Sequence, residues 1–172
     1  MLFFRSDQEM IDRAARIAAS DIRANFMPYR AGLLEEEKVC IMAGIDYDTP
    51  WTRDTAINTC FALAVTDPDI AANTLLAVCE RMEDGAGIHI AGQYWDKIIW
   101  ILGARKYLQV NRDFEFLDIA AEAAINTLSE MERQEQDPED GLFRGPAVYG
   151  DGVAAYPERY AKTLGHASGI LE

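Results

Sequence analysis

Trp51-Thr52-Arg53-Asp54 opens an apolar run that continues through Val65, and Asp67-Pro68-Asp69 interrupts it before a second run. Pro68 suits the first position of a helix and Asp67 its N-cap, so the break reads as a tight turn between two helices. The second of these extends to about Met82 on the same apolar pattern. Tyr94-Trp95-Asp96 opens a third apolar helix to about Val110, Asn111-Arg112-Asp113 breaks it, and a fourth runs to about Gln134. Trp95 lies 44 residues after Trp51, and Asp113 lies 44 after Asp69. Leu75 and Ile119 keep the same spacing, and both are apolar. The chain therefore repeats a unit of long loop, helix, tight turn, helix. A period of that size belongs to stacked helical hairpins, in a solenoid or in a closed ring.

Upstream, Ser6-Asp7-Gln8-Glu9 reads as a capping box in which Ser6 and Glu9 each satisfy the other's backbone amide. Ile11, Ala14, Ala15, Ala18 and Ile22 fall on one face behind it, which predicts a helix over about 7–25, ended before Pro28. Pro28, Gly32, Gly44 and Pro50 punctuate residues 27–50, which read as irregular. A glycine-rich loop with Gly85, Gly87 and Gly92 separates the two units, and Asp137 to Pro157 forms a third long loop. Glu158 to Glu172 leaves room for one short helix. The expected fold is all-α: five helices, as stacked hairpins in a single domain over residues 1–172.

Composition bounds the function. Sixteen Lys and Arg against twenty-nine Asp and Glu give a net charge of −13. Such a surface repels phosphate backbones and anionic lipid, so neither nucleic acid nor a membrane surface is an expected partner. Sugars are neutral and are not penalised. Cys40, Cys60 and Cys79 sit among apolar neighbours with no metal-ligand spacing, and read as free thiols rather than a disulfide framework. The apolar opening Met1-Leu2-Phe3-Phe4 stops at Arg5, short of a signal-peptide core. No stretch is long and apolar enough to span a bilayer. A soluble, cytoplasmic protein is expected, unless a leader was removed. No phosphate loop, zinc spacing or nucleotide fingerprint occurs, and no cofactor or metal is expected.

The repeat gives the loops a meaning, because loops at one offset emerge at one end of a hairpin stack. The polar-aromatic clusters share that offset: Trp51, Arg53 and Asp54; His89, Gln93, Tyr94, Trp95 and Asp96; Asp140, Phe143, Arg144, Tyr149, Asp151 and Tyr156. The opposite turns carry only capping chemistry. Aromatic rings stack on the C–H face of a pyranose, and charged groups make the stronger, directional bonds to its hydroxyls. Glycosidic cleavage further requires two carboxyl groups across the bond. Each residue also has a plainer reading. Asp54 serves as a helix cap, Asp151 between two glycines as a turn residue, His89 between isoleucines as a packed side chain, and Trp100 as core.

Tyr47-Asp48-Thr49-Pro50-Trp51-Thr52-Arg53-Asp54-Thr55 resembles the WxRD signature of glucoamylases and glycogen-debranching α-1,6-glucosidases. Tyr94-Trp95-Asp96 is similar to a tryptophan-aspartate loop of trehalase relatives, and Asp140-Gly141-Leu142-Phe143 resembles the DGL segment of debranching enzymes. The resemblance implies a six-hairpin α/α toroid whose active site lies at one mouth. It implies that Arg53 and Asp54 grip sugar hydroxyls, that Trp51 shapes the pocket, and that Trp95 and Asp96 line its next wall; His89, Tyr94 and Arg144, from the same loop clusters, are further candidates for substrate contact. It places the general acid in the third loop, with Asp151 as first candidate and Asp140 as second. Where glucoamylases show paired glutamates there, this chain has Asp140-Gly141 and Asp151-Gly152. Six units would need about 264 residues. The chain is thus expected to be the N-terminal half of such a domain, lacking the catalytic base of the last hairpin and inactive alone. Uncovered helix faces at the edge of a half-toroid would favour self-association. The alternative reading of the same period is a HEAT-like α-hairpin solenoid that binds a protein partner.

Overall fold

A computed structural model describes residues 4–83, 85, 87–92 and 96–143. In chain order they form α1 (Glu9–Ala24), β1 (Phe26–Tyr29), β2 (Lys38–Ile41), α2 (Thr52–Asn58), α3 (Ala64–Thr66), α4 (Pro68–Ala77), β3 (Cys79–Arg81), β4 (Ile88–Ile90), α5 (Asp96–Asn111) and α6 (Phe114–Glu135). A π-helical stretch, Thr59–Leu63, joins α2 to α3, so residues 52–66 make one continuous rod. The chain divides into two compact units, Met1–Asn126 and Thr127–Glu172.

Both expected helix-turn-helix pairs are present. Asp67 takes the N-cap position and Pro68 the first turn of α4, where a missing N–H costs nothing. Asp113 ends the other turn: its carboxylate accepts the Phe116 N–H at 3.0 Å and the Tyr107 hydroxyl at 2.9 Å, capping α6 and fastening it to α5. The capping box at Ser6 does not form. Gln8 is the N-cap of α1, and the Ser6 amide and hydroxyl instead both donate to Asp12, at 2.7 and 2.8 Å.

The all-α expectation is overturned. Two antiparallel β-hairpins pack against the helices, which makes the architecture mixed α/β and not an all-α toroid. Phe26 pairs with Ile41 and Tyr29 with Lys38 in the first; Cys79 pairs with Ile90 and Arg81 with Ile88 in the second. Strands of three or four residues are too short for an alternating pattern to stand out, and Pro28 within β1 reads as a breaker. Proline is nonetheless tolerated on an edge strand. The second hairpin also explains why α4 stops at Ala77 rather than near Met82: residues 79–81 are claimed by β4.

Hairpins this small are marginal by themselves. Each is clamped by a helix that follows it. On α4, Thr74 Oγ1 accepts the Ile41 N–H at 3.0 Å and Asn73 donates to the Val39 carbonyl at 3.1 Å. On α6, Glu122 accepts the Ile88 N–H at 3.1 Å and Asn126 donates to the Ile88 carbonyl at 3.0 Å. Side chains thus stand in for a missing neighbouring strand. At Gly87 a Cβ would lie 2.6 Å from the Asn126 side-chain amide, so a larger residue there would displace the Asn126 side chain from its bond to Ile88.

The core of the first unit is built around Trp100, which is fully buried with Leu63, Leu75, Ile90 and Ala123. Its indole N–H donates to the Leu75 carbonyl at 3.1 Å. Tyr107 meets Phe116 edge-on with ring centroids 4.9 Å apart. α2 and α5 run parallel in the register of the repeat. Arg53 pairs with Asp96 at their N-terminal ends, Ala56 lies under Gly103, the Cys60 thiol donates to the Leu102 carbonyl, and Asn111 donates to the Ala64 carbonyl. The described part of the second unit is the end of α6 followed by a turn closed by a bridge between Gln136 and Phe143. Among the described residues no helix is long and apolar enough to cross a membrane.

A Cβ on Gly103 would sit 2.8 Å from Ala56 Cα. Gly103→Ala is therefore expected to lose about 1–3 kcal/mol of stability by overpacking, although alanine is the better helix former by about 1 kcal/mol. Urea unfolding measures it, and a stabilised variant would refute the close-approach argument.

Burial pushes the Cys40 thiol up to about 11 and the Cys79 thiol higher still, whereas Cys60 is only half-buried with Lys106 nearby to oppose its upward shift. Native protein should react with a thiol reagent first at Cys60, with Cys40 and Cys79 following only on unfolding. Because the folded Cys40 pKa lies above the unfolded value, its contribution to stability is complete below pH ~8.5 and is lost as pH rises towards about 11. Mass mapping of labelled cysteines checks the order.

Candidate functional site

The parallel register of α2 and α5 sets both N-terminal ends at one end of the helix pair. The loops that enter them therefore meet, as the repeat requires. Residues 43–49 close into a short loop, with the Ala43 amide bonded to the Thr49 carbonyl and the Tyr47 amide to the Gly44 carbonyl. The chain then extends through Trp51, whose backbone is in the β region, and turns into α2 at Thr52. Trp51 has a side chain that is half exposed (50%), and Tyr47 is comparably open.

Two contacts lock this loop to the one before α5. Thr52 Oγ1 donates to the Ala91 carbonyl at 2.7 Å. Gly92 follows with φ at +119°, and a Cβ there would lie 2.8 Å from Thr52 Oγ1. Only glycine satisfies both the backbone conformation and the space. The second contact is the ion pair of Arg53 Nη1 with Asp96 Oδ1 at 3.5 Å, with side chains 25% and 16% exposed. Asp54 and Asp96 stand in the first turns of their helices, where a carboxylate complements the helix dipole.

Of the residues singled out in the sequence, Trp51, Arg53, Asp54 and Asp96 are thus gathered at one end of the α2–α5 pair. His89 sits at the middle of β4, opposite Glu80 on β3, two residues before the Ala91 carbonyl held by Thr52. Asp140 belongs to the second unit. It is exposed, and its carboxylate accepts the Leu142 N–H at 2.8 Å, which makes it a turn-forming residue. Gln93, Tyr94, Trp95, Arg144, Tyr149, Asp151 and Tyr156 lie outside the described residues. Thr52 and Gly92, which hold the two loops together, are not among the residues singled out in the sequence. Their signal was present: Thr52 stands inside the WTRD run, and Gly92 closes a glycine-rich loop at the matching offset.

Chemically, this end offers a ring face, a guanidinium held by one carboxylate, and a second carboxylate nearby in sequence. A guanidinium has five donors in a fixed fork, a geometry that suits paired oxygen acceptors. An ionised carboxylate can only accept hydrogen bonds and a guanidinium can only donate, so the set matches the donor and acceptor faces of a polyol. No cluster of three metal-ligating side chains is found among the described residues. Comparison with protein-family models, with curated proteins and with solved structures finds no match to this chain.

Thr52→Val removes the donor to Ala91 and leaves a partly buried carbonyl without it. A stability loss of about 1–3 kcal/mol is expected in urea unfolding. Trp51→Ala, on an exposed ring, should cost much less than that. Equal losses would mean that the threonine does not join the loops.

Proposed function

We propose that this chain carries the sugar-gripping surface of a glycoside hydrolase, formed by Trp51, Arg53, Asp54 and Asp96. The observation that supports it most is the Arg53–Asp96 ion pair. It joins two motif loops, 43 residues apart in the chain, into one polar-aromatic surface. The resemblance of those loops to the WxRD segment of glucoamylases and debranching enzymes and to the tryptophan-aspartate loop of trehalase relatives points to a carbohydrate ligand.

On this reading Trp51 stacks on the apolar face of a sugar ring. Arg53 donates to its hydroxyls while Asp96 holds the guanidinium in place. Asp54 accepts from a neighbouring hydroxyl. Charge-assisted bonds of this kind are the stronger ones, and their geometry selects the pattern of hydroxyls. Cleavage requires in addition a protonated carboxyl at the glycosidic oxygen and a second carboxylate to activate water.

Tryptophan fluorescence titrated with neutral mono- and oligosaccharides, α-linked glucosides among them, tests the surface. Saturable binding is expected, weakened at least about tenfold in Asp54→Asn, a loss of about 1.4 kcal/mol. The Trp51→Phe variant should lose most of the fluorescence change and weaken binding. Affinity that survives both substitutions, or no binding across the panel, would overturn the proposal.

A further inference from the structure

We draw no further inference here: the strongest candidate, the apolar groove between α5 and α6 lined by Trp100, Ala104, Leu117 and Ala120, carries none because nothing in the structure shows what covers it.

Discussion

The first unit depends on the missing side chain of Gly103. With no Cβ there, the α5 backbone rests directly on Ala56, and α2 and α5 pack along their whole shared length. That closeness has consequences at both ends. At one, the Arg53 side chain spans to Asp96. At the other, Asn111 reaches the Ala64 carbonyl, one of the acceptors left open near the end of a helix. A wider spacing would break both contacts and would lift Trp100 from the Leu75 carbonyl at the end of α4. The glycine sacrifices intrinsic helix propensity, and the gain is a register in which two motif loops share one end.

The π-helical stretch belongs to the same constraint. One extra residue per turn over Thr59–Leu63 shifts the face that follows, so that Leu63 and Ala64 enter the core while Phe61 turns to solvent. A regular α-helix through Val65 would be expected from the apolar pattern alone. The pattern does not reveal a bulge, because every residue from Cys60 to Val65 is apolar and no polar side chain marks which face is outside. π-bulges recur near functional sites. Here the bulge lies eight residues into a rod whose first turn carries Arg53 and Asp54.

Much of the architecture was legible because it is written in long-period signals. The 44-residue spacing placed both helix pairs and the common end of their loops, and proline with aspartate located the tight turn at residues 67–68. The strands were not legible, since FMPY, KVCI, CER and IHI are too short for period-two alternation. Their stability comes from Thr74, Asn73, Glu122 and Asn126, polar residues on helices that carry no local sign of serving a strand 33 to 38 residues away. The capping box failed for a different reason. Asp7 adopts a positive φ of 60°, which turns Ser6 towards Asp12 before the helix begins. Trp51, Arg53, Asp54 and Asp96 were legible as a set because their chemistry is unusual for helix starts. Thr52 and Gly92, which position them, were hidden among residues with ordinary roles in turns.

The parallel register also separates two kinds of chemistry on one helix pair. Polar and aromatic groups collect at the N-terminal ends, where first-turn carboxylates complement the helix dipoles. Apolar and basic groups, Leu102 and Arg105 among them, occupy an exposed lateral ridge of α5, away from those ends. Both follow from one repeat, since equivalent positions on α2 and α5 are neighbours all along the pair. A substitution at Leu102 therefore acts on the ridge with the Arg53–Asp96 pair intact, and one at Asp54 acts on the loops with the ridge intact. Sites more than about 10 Å apart with no shared partner contribute additively. Gly103 is the position where that independence ends. It holds the two helices together, so a side chain there disturbs the polar end and the apolar face at once.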